Sequence, residues 1–296
     1  FDPATREFRA LVTYRNRDFP RFQDVIQHWL QALREAAPEY GCIAIAAPPG
    51  ADQVAMVNIN WSFSRRELAA QFGFKRLGWI NDFEGNAYAL PHLGDDDRQA
   101  LYLGRDGSAG KLATMGPGTG LGGATLEWMG GQAHACPCEP GHMGLSPATG
   151  QEVELFRHLL QRHGDIYAEL LVSGPGLVRL YHALGEIEGK STAAHEPAEV
   201  SRLGQSGEDD QCAQALSCFC ALLGSVCGDF VLANGAYGGL YLAGGIIPSI
   251  LPFLQASSFH QRFRDKGAMQ QQLLAVPIYA ITTAQPGLIG AAHAPL

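Results

Sequence analysis

Over the first 82 residues the apolar pattern alternates between strand type and helix type, and few folds accept that order. Residues 7–14, EFRALVTY, read as a strand. Phe22, Val25, Ile26, Trp29, Leu30 and Leu33 then recur at helical spacing and form one stripe. GCIAIAAPPG is a short apolar run closed by Pro-Pro-Gly, which suits a buried strand entering a tight loop. Ser64 and Glu67 have capping-box spacing and predict a helix to about Phe72. RLGWIND, residues 76–82, predicts a strand ending on two polar residues. Strand, helix, strand, helix and strand in this order predict an α/β lobe with a buried sheet.

The middle of the chain changes character. KLATMGPGTGLGGATLEWM predicts two strands about a glycine-rich turn. Residues 150–163 predict a helix whose stripe is Val153, Phe156, Leu159 and Leu160, and SGPGLVRLYHAL opens another. Residues 186–210 are polar and irregular, a surface excursion with short helices. A long helix is predicted over about 211–234, then a strand running into a glycine turn in GGLYLAGGIIPS. VPIYAITT predicts a last strand, and the tail after Pro286 a helix.

Composition narrows the function classes. The net charge of −8 argues against a nucleic-acid partner, which requires a basic face. A nucleotide ligand stays compatible, because backbone amides and helix N-termini hold phosphates locally. No run of the sequence reads as a membrane span, and no signal-peptide pattern is present. Seven cysteines, four of them (Cys212, Cys218, Cys220 and Cys227) at helical spacing among apolar residues, suit core packing in a reducing cytoplasm.

Four stretches could carry chemistry. In IND, Asp82 follows a strand at the end where α/β folds keep ligands, and could accept a hydroxyl proton. The alternative is a helix N-cap. GPGTGLGG contains a GxGxxG match at Gly118, Gly120 and Gly123, but GATLEWM after it carries no helical stripe, as a dinucleotide site would require. A hairpin whose amides and Thr119 hydroxyl wrap phosphate oxygens is the favoured reading, against a turn with no ligand. LAGG, with Gly244 and Gly245, lets another group approach the backbone, or is only a turn. In HACPCEPGH, the donors His134, Cys136, Cys138 and His142 suggest zinc, although a single residue between the thiols fits structural zinc spacing poorly. Glu139 and His142 could instead bind vicinal hydroxyls.

Taken together, GCIAIAAP, VAMVNINWSFS, INDFEGNAYALP, GPGTGLGGA, CEPGHM, SGPGLVRLY, YLAGGIIP, FRDKG and QPGLIGAA resemble the bacterial glucokinase family of the hexokinase–actin class. The nine stretches occur in the family's order and cover the chain from about Asp18 to its end. The resemblance implies an α/β, two-lobed, actin/hexokinase-like (ribonuclease H-like) fold with a cleft between a small and a large domain. The small domain would comprise residues 1–92 and about 283–296, and the large one 93–282. It implies ATP-dependent phosphorylation of glucose to glucose 6-phosphate, with ATP and Mg²⁺, by a cytoplasmic homodimer of glycolysis.

Carried over by position, the resemblance makes Asp82 the catalytic base and Asn81, Asp82, Glu139, His142 and Glu169 the sugar ligands. Gly116, Gly118, Thr119 and Gly120 match a phosphate-binding segment, and Gly244 and Gly245 the adenosine-binding one. No residue is assigned to a metal. The related ROK kinases carry a zinc-binding CxCGxxGC motif, whereas Glu139 and Pro140 follow the CxC here and no closing Cys appears. Relatives often have Gly-Glu-Gly-Gly-His in place of CEPGH. The family also opens with a strand and an Asp-x-Gly-Gly-Thr phosphate loop that this sequence lacks, so an upstream segment is expected in the natural protein. Two rivals keep other classes in view: an NAD-dependent dehydrogenase, requiring a helix after Gly123, and a catalytically impaired, zinc-stabilised sugar-binding homologue.

Overall fold

The computed structural model describes residues 1–2, 7–33, 38–46, 51–56, 59–104 and 110–295. The Pro-Pro-Gly turn at 48–50 and residues 57 and 58 of VAMVNINWSFS lie outside them. The chain divides into two compact units, Phe1–Ala89 with Gln285–Leu296, and Leu90–Ala284.

The first unit begins with α1 (Phe22–Ala32), followed by β1 (Tyr40–Ile45), β2 (Gln53–Ala55), β3 (Ser62–Ser64), α2 (Arg65–Phe72), β4 (Arg76–Asn81) and α3 (Asp82–Ala89). β1 and β4 pair in parallel from Tyr40 opposite Arg76 to Ile45 opposite Asn81, while β2 and β3 form a small antiparallel pair. Ser64 caps α2 as its spacing predicts, its Oγ accepting from Glu67 N at 3.1 Å. Ile45, Val54, Phe63 and Leu68 form a small core against which Phe22 stacks, its ring 4.9 Å from that of Phe63.

Two expectations fail in this unit. EFRALVTY is not a strand: Glu7 bridges Asp2, and no strand pairs with residues 8–14 among the described residues. Leu11 and Val12 are exposed, so the alternation there has no face to bury. The β1–β4 pair is mostly half-buried rather than enclosed on both faces.

The second unit runs through β5 (Arg98–Tyr102), β6 (Leu112–Pro117), β7 (Leu121–Met129), β8 (Gln132–Cys138), α4 (Gly150–His163), α5 (Ala168–Leu171), α6 (Gly174–Ile187), α7 (Pro197–Ser206) and α8 (Asp210–Asn234). Then come β9 (Gly239–Leu242), α9 (Ile246–Ser249), α10 (Leu251–Ala256), α11 (Phe259–Arg264), α12 (Gln270–Leu273) and β10 (Ile278–Ile281). One six-stranded sheet has the order β5-β10-β9-β6-β7-β8, with β10, β9 and β6 parallel and the remaining pairings antiparallel. The chain ends in α13 (Pro286–His293), which returns to the first unit. There a Cβ on Gly290 of α13 would collide with Gly85 O of α3, so only glycine at 290 lets α3 and α13 pack this closely.

α8 is the spine of the second unit, with Leu216, Phe219, Leu222, Leu223, Val226 and Phe230 sunk in its core. By length and composition this helix could cross a membrane, contrary to the sequence expectation that no run qualifies, but 78% of its apolar window is buried inside the protein. The α4 stripe is also rotated from prediction. Glu152, Leu155, Phe156 and Leu159 face inward, while Val153 and Leu160 are exposed. Glu152 is drawn in by Arg262, whose Nη1 lies 2.5 Å from Oε1 and Nη2 3.1 Å from Oε2, both residues buried.

Candidate active site

In the first unit, strand β4 hands directly to helix α3 without a connecting loop. Asn81 Oδ1 accepts from Phe83 N at 2.9 Å and, more weakly, from Glu84 N at 3.4 Å. Glu84 Oε2 accepts in return from Asn81 N at 3.1 Å. This reciprocal box satisfies the first amides of the helix. The capping role considered for Asp82 therefore belongs to Asn81. Asp82 is half-buried, its Oδ1 accepts from Phe83 N at 3.0 Å, and its other oxygen has no hydrogen-bond partner among the described residues. Burial raises the pKa of the Glu84 carboxyl against the opposing Asn81 amide, and burial with the nearby Glu84 pushes the Cys42 thiol up to about 11.

In the second unit, β8 ends at Cys138 and Pro140–His142 form a single 3₁₀ turn. Glu139 and His142 flank that turn and are exposed. The chain beyond it pairs with 166–168, through a Gly144–Tyr167 bridge and Ala168 N donating to Met143 O at 2.9 Å. This pairing brings Tyr167 beside His142, ring centroids 5.6 Å apart, and sets Glu169 in the first turn of α5.

Glu169 reaches back to the β6–β7 hairpin, its Oε2 accepting from Leu121 N at 2.8 Å. A Cβ on Gly120 would stand 2.5 Å from that oxygen, and one on Gly141 would stand 3.0 Å from it and 2.7 Å from Leu121 O. The carboxylate thus sits in a gap that two glycines leave open. The hairpin tip is tied further: Gly118 N donates to Gly120 O at 2.8 Å, and Gly118 O accepts from Gly174 N at the start of α6 at 2.8 Å. Ser173 caps α6 through Gly176 N and donates from its hydroxyl to Glu169 O. Thr119, at the tip, is exposed.

The LAGG turn lies against the same hairpin. Ala243 N donates to Met115 O at 2.8 Å. A Cβ on Gly116 would stand 2.6 Å from Ala243 O, and one on Gly244, whose φ is +87°, would stand 2.5 Å from Pro117 O. Gly245 has open space around it. The second unit therefore gathers Gly116, Gly118, Thr119, Gly120, Glu169 and Gly244 on a connected set of turns, with Glu139 and His142 on the turn that touches them through Gly141. Asn81 and Asp82 belong to the first unit.

Two alternatives meet structural obstacles. The segment after Gly123 continues as β7, not as the helix a dinucleotide fingerprint opens. HACPC forms part of strand β8, where His134, Cys136 and Cys138 occupy alternate positions opposite Glu127, Thr125 and Gly123. Cys136 and Cys138 interact side chain to side chain, but no third ligating group joins them among the described residues. Pro140 lies over Gly123, where a Cβ would come within 2.8 Å of its Cγ. Sequence reasoning missed Glu84, although the Asn-x-x-Glu spacing was readable, and Tyr167, for which no local signal exists.

The family model described as Glucokinase matches residues 2–295. The glucokinase of Psychromonas ingrahamii is 40% identical over 98% of this chain and 90% of its own length. That of Saccharophagus degradans is 38% identical over 93% of this chain and 86% of its own. Among solved structures, a glucokinase from an Antarctic psychrotroph superposes with a TM-score of 0.86 at 36% identity, covering 93% of this chain and 86% of that one.

Proposed function

The chain belongs to the glucokinase family, and on that premise we propose how its own residues carry out the ATP-dependent phosphorylation of glucose. The fold is the two-lobed α/β class of hexokinase-like sugar kinases. Asp82 is the general base. Its partnerless oxygen takes the proton of the glucose 6-hydroxyl as the 6-hydroxyl oxygen bonds to the γ-phosphorus, and the bond from phosphorus to the β–γ bridging oxygen breaks to release ADP. What carries this reading is the division of labour at the end of β4: Asn81 satisfies the helix amides, which leaves one Asp82 oxygen unengaged.

Glu139 and His142 bind sugar hydroxyls from the turn after β8. Asn81 donates to the sugar from its amide nitrogen while its oxygen stays on the helix. Glu169 uses one oxygen to hold the hairpin and the other toward the sugar. Gly116, Gly118, Thr119 and Gly120 form the phosphate-binding hairpin, with the Thr119 hydroxyl toward phosphate oxygens and the Gly118 amide kept on Gly120 O, and Gly244 and Gly245 lie along the adenosine. Mg²⁺ enters as part of the nucleotide substrate, bound through phosphate oxygens and water, and neutralises the charge that develops on transfer. The family resemblance extends the proposal to a homodimer working in cytoplasmic glycolysis.

Removing a general base typically lowers the rate by ~10²–10⁴. Asp82→Ala should lose kcat on that scale while glucose binding stays measurable by calorimetry. A near-wild-type kcat would refute the assignment. Glu139→Gln should raise KM for glucose with a smaller change in kcat, and an unchanged KM would remove Glu139 from the pocket.

A further inference from the structure

Within the second unit, three metal-ligating side chains meet at a point none of the catalytic assignments uses. A ring nitrogen of His195, a carboxylate oxygen of Asp209 and the Sγ of Cys212 all lie within 4.8 Å of one another. They come from the segment before α7, the turn between α7 and α8, and the first turn of α8.

Each donor is held by contacts of its own. Asp209 Oδ1 accepts from Cys212 N at 2.8 Å as the N-cap of α8, and the Cys212 thiol also donates to this carboxylate, so donor and acceptor already face each other. Cys212 is fully buried, its backbone pressed against α7, where a Cβ on Gly204 would stand 2.8 Å from Cys212 O. The His195 ring packs on Tyr181 of α6 at 5.5 Å between centroids. Tyr181 also fixes both neighbouring segments, its hydroxyl accepting from Ala193 N at 3.1 Å and its carbonyl accepting from Gln211 Nε2 at 2.8 Å. Helix capping accounts for Asp209 and packing for Cys212, but neither accounts for an imidazole converging on both.

We propose that His195, Asp209 and Cys212 bind one thiophilic divalent cation, zinc being the fitting one, as a clip that ties the 190–196 segment to the start of α8. The nitrogen, oxygen and sulfur set suits zinc, whose bonds of about 2.0–2.3 Å place tetrahedral donors about 3.3–3.8 Å apart. Side-chain shifts of about 1 Å close the remaining gap, and water completes four-coordination. The thiol proton is released on binding, so occupancy falls with decreasing pH.

The test uses the full chain, stripped with a chelator and titrated with Co²⁺ as the probe. We expect one equivalent to bind with a thiolate-to-cobalt charge-transfer band in the near ultraviolet, displaced one for one by Zn²⁺. Cys212→Ser should abolish the band. His195→Ala, at a half-exposed position that threatens the fold less, should weaken Co²⁺ binding by more than ~10-fold while glucose phosphorylation continues. Cys136→Ser and His134→Ala should bind as wild type. Absence of a saturable band overturns the proposal, as does a band that survives in folded Cys212→Ser, is lost in Cys136→Ser, or keeps its affinity in His195→Ala.

Discussion

Gly120 decides where the Glu169 carboxylate can sit, and the two are 49 residues apart in sequence. The glycine-rich stretch was legible as a hairpin, but the reason for glycine at this position was not. It is the nearness of a side chain from another element, which no local pattern carries. A methyl group at 120 would stand 2.5 Å from Glu169 Oε2 and would drive the carboxylate off Leu121 N. A hydrogen bond to a charged group is worth about 1.5–3 kcal/mol, so Gly120→Ala should cost ~10–150-fold in kcat/KM for glucose. Gly118 supplies the control two residues away, with open space where its Cβ would be and no left-handed φ. Gly118→Ala should therefore stay within about threefold of wild type, a change of well under 1 kcal/mol. Steady-state kinetics of the pair decides the point, and equal losses in both would mean that the loop, not Glu169, governs the effect.

Among elements, most helices and the buried strands β9 and β10 follow from the sequence pattern, whereas β2, β3 and the sheet-edge strands β5 and β8 do not. α1, α2, α6, α8 and α13 follow spacing and capping signals that are local to each segment. β8 carries no strand signal because Pro, His and Cys interrupt its apolar pattern, yet it needs only β7 beside it to be an edge strand. EFRALVTY shows the converse, a good alternating pattern with no partner. Glu84 tests the element on which Asp82 stands. Its carboxyl has a raised pKa, chiefly through burial, so the fold favours the protonated form. That contribution is present below the ordinary carboxylate value and is lost as pH rises through the raised folded one. Glu84→Gln keeps an oxygen for Asn81 N without the charge. It should match or exceed wild-type melting temperature near neutral pH, with the advantage shrinking toward about pH 4. Glu84→Ala removes the acceptor and should cost about 1 kcal/mol at either pH. Thermal melts of the three proteins at both pH values check this, and a Gln variant as unstable as the Ala variant would contradict the assigned cost of the buried charge.

For the whole molecule, the ordered series of nine motifs identified the fold class because motif order survives where single elements are ambiguous. What composition could not show is which apolar helix a protein encloses. α8 has the length and hydropathy of a membrane span, and only the surrounding helices and sheet reveal it as a core. The same limit hid Glu152, which a helical pattern assigns to solvent until its partner 110 residues away is known. Arg262 joins three parts of the larger unit: Nη1 and Nη2 both donate to Glu152 on α4, Nε donates to Ser225 Oγ on α8 at 3.0 Å, and the residue itself sits on α11. Glu152 Oε2 also accepts from Ala148 N at 2.7 Å, so the carboxylate is committed on both sides. Removing one partner of such a buried pair leaves an uncompensated charge and costs about 3–5 kcal/mol. In a unit of this size each kcal/mol lowers the melting temperature by about 2–4 °C. Arg262→Ala should accordingly lower the main calorimetric transition by about 6–20 °C. Arg262→Lys, which keeps the charge but not the two-pronged contact, should fall between the two. Replacing both partners, as Arg262→Met with Glu152→Leu, removes the stranded charge but orphans Ala148 N and the Ser225 hydroxyl. The double variant should therefore be more stable than Arg262→Ala yet short of wild type. A double variant no better than the single one would show that the three-way junction, rather than the buried charge, holds these helices together.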